Sequence, residues 1–146
     1  MKIKDLKTKE LENILINVKT EKEIQEYVSK YTRGNYRNFS EYFNVYLAEH
    51  ELKMSEVIKK SNISRNYVYN IVNGDRNPGR DKIIALCIGA GMNYSEINRA
   101  LKIAGEGVLY PKNERDARIA AAVNNGIDSV VNLNIILAGE HLRILD

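Results

Sequence analysis

The feature that most limits how this chain can fold lies between Ser55 and Arg80, SEVIKKSNISRNYVYNIVNGDRNPGR, where two short amphipathic segments meet at Asn62-Ile63-Ser64. Val57 and Ile58 sit one turn before the break, Ile63 lies at it, and Val68, Ile71 and Val72 follow at helical spacing. Each predicted helix therefore has one apolar face, and only three residues are available to turn one onto the other. Asn62 suits the left-handed backbone that so sharp a turn needs. Ser64 can then cap the second helix by accepting a hydrogen bond from one of its free amides. That helix is expected to stop near Asn73-Gly74, since glycine after the last periodic residue is the usual terminator. A loop, Asp75 to Arg80, follows.

With the cap at Ser64, the outward positions of the first two turns fall on Arg65, Asn66, Tyr67, Tyr69 and Asn70. Asparagine makes paired hydrogen bonds to adenine and arginine to guanine, so both suit a helix that enters a DNA major groove. We therefore expect Arg65, Asn66 and Asn70 to read base edges. Ser64, Tyr67, Tyr69, Arg76, Arg80 and Lys82 are expected to contact the sugar-phosphate backbone, which fixes register without reading sequence. Arg80 has a second reading: its dipeptide Arg80-Asp81 recurs as Arg115-Asp116, and the pair can simply start a helix.

Charge concentrates on the same stretch. Residues 53–82 carry seven Lys/Arg against three Asp/Glu, while each of the segments 1–31, 32–52 and 83–146 lies within one charge of neutrality. A net charge of +3 spread evenly would carry no such message. Gathered on one element, it is the electrostatic footprint of a phosphate-binding surface.

The run from Phe39 to Gly105 resembles the phage-repressor-like (XRE) helix-turn-helix domain of bacterial transcriptional regulators. The resemblance rests on SRNYVYNIVNGDRNPGRDKIIAL, with NG-x-R-x-P and a following I-x-A-L helix in the expected places. It implies an all-α, five-helix lambda-repressor-like fold whose helices are FSEYFNVYLAEH, MSEVIKKS, SRNYVYNIVN, RDKIIALCIGA and YSEINRALKIA. The third would be the recognition helix, at residues 64–73. Leu109-Tyr110-Pro111 and Arg115-Asp116 extend the likeness to a subgroup with an extra C-terminal helical hairpin. Met54 stands where many members have a glutamine that contacts a phosphate and braces the recognition helix. Asn62 replaces the usual turn glycine, and Ile58 a usual small residue.

Length and composition bound the alternatives. A chain of 146 residues can bury one good core with a small appendage. The absence of a run of eighteen apolar residues or a signal-peptide pattern implies no membrane association and a cytoplasmic protein. Cys87 is alone and lies in an apolar stripe, where a thiol behaves as a small core residue. One cysteine and two distant histidines, His50 and His141, build no metal site, and no cofactor is expected. With no nucleophile and base, no ligand cluster and no phosphate-cradling loop, enzymatic activity is not expected. Gly89-Ala90-Gly91 reads as a turn between helices.

The flanks are also helical. Leu6, Leu11, Ile14, Leu15 and Val18 form an apolar stripe over residues 5–18, and Thr20-Glu21-Lys22-Glu23 is a capping box starting a helix that runs to about Tyr31. A loop at Thr32-Arg33-Gly34-Asn35 is expected to hinge this hairpin to the rest. Downstream, residues 80–106 and 115–140 read as two copies of one helix–turn–helix unit. Arg80-Asp81 pairs with Arg115-Asp116, Ile84-Ala85 with Ile119-Ala120, and Gly91 with Gly126. After a one-residue slip, Asn98 pairs with Asn132 and Ala104-Gly105-Glu106 with Ala138-Gly139-Glu140. Such repeats stack so that each covers the next one's apolar face. The division expected is an N-terminal hairpin (1–36), a DNA-binding domain (37–111) and a C-terminal hairpin (112–146). VVNLNIILAGEHLRIL holds more apolar residues than one packing face needs, which points to a homodimer interface formed by the C-terminal hairpin, alone or together with residues 5–18. The function expected is a sequence-specific transcriptional regulator of double-stranded DNA, a dimeric repressor. The alternative is a protein-protein interaction module on the same scaffold, antitoxin-like or an adaptor for a kinase.

Overall fold

The computed structural model describes residues 8–31 and 36–146, and among them the chain is all-α, with nine helices and no strand. It divides into two compact units, Met1–Arg37 and Asn38–Asp146. The first boundary lies one residue from the expected one. The second expected boundary, between residues 111 and 112, does not separate compact units, because the C-terminal helices pack into the same body.

In the first unit α1 spans Thr8–Ile16 and α2 spans Glu21–Tyr31. Thr20 caps α2: the Glu23 amide donates to its Oγ1 at 3.1 Å, while the hydroxyl itself donates to the Glu23 carboxylate at 3.0 Å. Leu15, Ile16, Ile24 and Val28 are exposed, and α1 buries no residue. Leu6 and the expected hinge at Thr32 to Asn35 lie outside the described residues.

The second unit contains α3 (Phe39–Glu49), α4 (Met54–Ser61), α5 (Arg65–Val72), α6 (Arg80–Gly89), α7 (Tyr94–Ile103), α8 (Glu114–Asn124) and α9 (Val130–Gly139). Its centre is α6, in which every residue from Ile83 to Gly89 is buried. A helix apolar all round belongs in the middle of a core rather than at its surface. Around it pack α4, α7 and α9, while α3 lies against α5 and α7. Gly89 sets the α4–α6 approach: a Cβ there would stand 2.8 Å from the Val57 carbonyl oxygen and 2.9 Å from the Ser61 nitrogen. Cys87 is fully buried, and burial pushes its thiol pKa far up. Tyr46, on α3, is raised to about 12 by burial and by the neighbouring Glu96 carboxylate.

The internal repeat is present in three dimensions, with one change of register. Gly91 and Gly126 both take left-handed turns, at φ of 75° and 88°, and Asn93 and Ser129 cap α7 and α9. Asn98 Oδ1 accepts from the Leu109 amide at 2.9 Å, and Asn134 Oδ1 accepts from the Leu145 amide at 2.8 Å. Asn98 therefore corresponds to Asn134, not to Asn132 as the sequence match suggested. The second copy gained one residue before its second helix where the match had removed one. Both leucines held this way are buried, so each copy ends by tucking an apolar side chain back under its own helices.

The two Arg-Asp pairs are crossed. Arg80 forms a two-pronged pair with Asp116, at 3.1 and 2.9 Å, and Arg115 does the same with Asp81, at 3.0 and 2.9 Å. Each arginine also holds its own copy's tail, Arg80 through the carbonyls of Gly107 and Val108 and Arg115 through those of Arg143 and Ile144. The arrangement is a local pseudo-twofold clasp between α6 and α8.

Candidate nucleic-acid interface

The helices α4 and α5 have eight residues each and are joined at Asn62-Ile63-Ser64. Asn62 adopts the left-handed conformation, with φ 59° and ψ 31°. Ser64 caps α5, its hydroxyl oxygen accepting from the Tyr67 amide at 3.3 Å. Val57, Ile63, Val68 and Ile71 are buried beneath the pair. The local geometry thus follows from a left-handed asparagine, a serine cap and one apolar face per helix. Met54 lies half-buried at the start of α4, whose N-cap Lys53 gives no side-chain cap.

The C-terminal end of α5 is fixed by two residues that pattern reading passed over. Ser40 donates from its hydroxyl to the Ile71 carbonyl at 2.5 Å, and Asn44 Nδ2 donates to the Val72 carbonyl at 2.8 Å. Both stand on α3, four residues apart and so on one face of it. They satisfy carbonyls that a helix end leaves without an intrahelical donor. The signal for them was the interruption of α3's aromatic stripe by two polar side chains at that spacing.

Of the residues expected to read bases, Arg65, Asn66 and Asn70 are all exposed on α5. Ser64 and Tyr69 are exposed beside them, and Tyr67 is half-buried. The Arg65 guanidinium lies over the Tyr69 ring at 5.9 Å. No acidic residue stands in the first turn of α5, so the positive end of its dipole is left for an anion. Tyr67 meets two cations at once: Arg76 from the α5–α6 loop at 4.9 Å from the ring centre and Lys82 from α6 at 5.3 Å.

Arg80 does not belong to this surface. Its hydrogen bonds to Asp116, Gly107 and Val108 occupy four of the five N–H donors of a guanidinium. The expectation that it anchors phosphate is corrected: it ties α6 to α8 and to the 107–108 tail, whereas the alternative reading, that the Arg-Asp pair simply starts a helix, places Arg80 at the first residue of α6 without foreseeing its bond to Asp116. Phosphate contacts on this flank are left to Arg76 and Lys82.

His50 and His141 are exposed, His50 with its ring stacked on Tyr46 at 4.0 Å and His141 in a left-handed turn at φ 58°. Among the described residues no three His, Cys, Asp or Glu side chains gather where a metal ion could be held. No described helix is long and apolar enough to cross a membrane.

No protein family, no curated protein and no solved structure matches this chain.

Proposed function

We propose that this protein is a sequence-specific DNA-binding transcriptional regulator of the cytoplasm, a repressor that reads the major groove with α5 on a lambda-repressor-like scaffold. The observation that carries the reading is the surface of α5. Arg65, Asn66 and Asn70 are exposed together on a helix without an acidic first turn, flanked by the cations on Tyr67. Those side chains have the donors and acceptors that base edges require, and the surrounding charge has the sign that phosphates require.

Selection of bound duplexes from a random pool tests it, with a defined motif as the expected product. Asn66→Ala should then cost about 1–3 kcal/mol on that motif and relax preference at one base position. Equal binding of the variant and the wild type to every duplex would remove Asn66 from the reading set.

The regulator is proposed to act as a homodimer, since one small helix pair makes few base contacts and pairing two multiplies affinity through effective concentration. Half-sites would then lie about 10 bp apart, or a multiple of that. The face of α9 supports the proposal. Val131, Ile135 and Ile136 are exposed, Ile135 by 67%, whereas the repeat-equivalent positions on α7 are Ser95, Arg99 and Ala100, and Ala100 is fully buried. The second copy thus shows apolar side chains where the first is polar or covered. Light scattering well above micromolar concentration should give twice the chain mass, and Ile135→Glu should restore the monomer. A wild type that stays monomeric there would end the dimer proposal.

The same apolar face favours a second reading, a protein-interaction module of antitoxin or adaptor type. An electrophoretic shift with fragmented genomic DNA separates the two, because an adaptor would bind weakly and lose its DNA with little added salt.

A further inference from the structure

We propose that the Tyr67 ring gathers Arg76 and Lys82 into one phosphodiester-binding unit, a reading that rests on the DNA-binding function above and adds to it a positioning residue and a stoichiometry. Three features of the structure carry it. The two cations come from different elements, the α5–α6 loop and the first turn of α6, yet both lie over one ring at 4.9 and 5.3 Å. They are therefore no farther apart than the sum of those distances, about one screening length at moderate salt, so each feels the other's charge. Among the described residues neither is paired with a carboxylate.

Lys82 is also placed against its own helix. A cation in a first turn faces the positive end of the helix dipole, which disfavours it; α6 starts at Arg80 behind a Gly79 N-cap that gives no side-chain cap, and the one carboxylate of that turn, Asp81, is held by Arg115. Two like charges that share one ring, one of them in the first turn of a helix, are poorly placed for stability alone. An acceptor-only anion between them reverses the balance, since both cations and the dipole then attract it. The ring supplies what the cations lack, a fixed position: long flexible side chains lose considerable rotamer freedom when they bind, and a cation–π contact removes part of that freedom beforehand. A phosphodiester has two unesterified oxygens, one for each cation. Arg76 and Lys82 thus share one phosphate instead of taking two, and Tyr67 acts through them without needing its hydroxyl.

The test measures duplex affinity against salt concentration for the wild type, Tyr67→Phe, Tyr67→Leu, Arg76→Gln, Lys82→Gln and the Arg76→Gln/Lys82→Gln double variant. Tyr67→Phe should bind as the wild type does, and Tyr67→Leu should bind about five- to thirtyfold more weakly. The double variant should lower the slope of log affinity against log salt by about 0.9, the value for one phosphate, not about 1.8. Adding Tyr67→Leu to the double variant should change nothing further. Wild-type affinity in Tyr67→Leu, an equal loss in Tyr67→Phe, or a slope change of about 1.8 would each overturn the unit.

A second arm follows the Arg76 Nε–H and Lys82 side-chain resonances during titration with inorganic phosphate, with chloride as the control. Shifts specific to phosphate that disappear in Tyr67→Leu are expected. If the wild type binds no duplex, the DNA reading fails and this arm alone decides the clamp. Absence of phosphate-specific shifts in the wild type would then overturn it.

Discussion

Asp116→Ala is expected to lower the stability of the Asn38–Asp146 unit by about 3–5 kcal/mol, the range for removing one partner of a buried ion pair. Asp116 is only 7% exposed. Its carboxylate takes two hydrogen bonds from Arg80 and one from the Tyr110 amide at 3.0 Å. Truncation leaves Arg80, whose side chain is part-buried in the intact pair, with two donors and a full charge unmatched. It also frees the turn that leads into α8, and the midpoint of urea unfolding should fall accordingly. The control is the paired replacement Arg80→Met/Asp116→Leu, which removes both charges and should cost much less than the single change, because most of the penalty is that of the stranded partner. A single variant as stable as the wild type would show that the clasp contributes nothing. In the double variant the salt dependence of DNA binding should be unchanged, which distinguishes a structural Arg80 from a phosphate anchor.

How far the sequence revealed this structure depended on the range of the interaction. The turn at Asn62, the Ser64 cap and the stop at Gly74 are set by neighbours within a few residues, and all three are found in the structure. The outward set on α5 follows from helical spacing alone, and Arg65, Asn66 and Asn70 are indeed exposed. Neither of the two readings of Arg80 named its partner, because its chemistry is decided 36 residues away, at Asp116. A basic residue beside a basic loop looks like a phosphate ligand until its partner is known. The repeat contained the answer in its doubled Arg-Asp, but only a three-dimensional arrangement distinguishes a helix start from a crossed clasp. Its register failed for a related reason. Asn98 and Asn132 match by residue type, whereas Asn98 and Asn134 match by what they hold, the amides of Leu109 and Leu145. Ser40 and Asn44 escaped because donors to the end of another helix leave no periodic trace beyond two polar positions on an aromatic stripe.

Gly89→Ala is expected to displace α4 and with it the surface formed by α5. An added Cβ would stand 2.8 Å from the Val57 carbonyl oxygen, 2.9 Å from the Ser61 nitrogen and 3.0 Å from the Ser61 Cβ. Two of those atoms are backbone, so no side-chain rotation relieves the contact, and the helix itself must move. Overpacking of this kind costs about 1–3 kcal/mol. Alanine's better helix propensity returns at most about 1 kcal/mol of it, and less at the last residue of α6. The net loss should appear as a lower unfolding midpoint. Gly139→Ala is the matched control, since it too ends a helix but its Cβ would meet nothing within 4 Å. It should leave the midpoint unchanged or slightly raised. If α5 reads DNA as proposed, Gly89→Ala should also weaken duplex binding, because base contacts depend on where the reading helix is held and α4, which is joined to it by a three-residue turn, is the element that must move. Two variants with the same midpoint would mean that α4 yields to the methyl group freely, and the close approach at Gly89 would then not be what holds the pair in place.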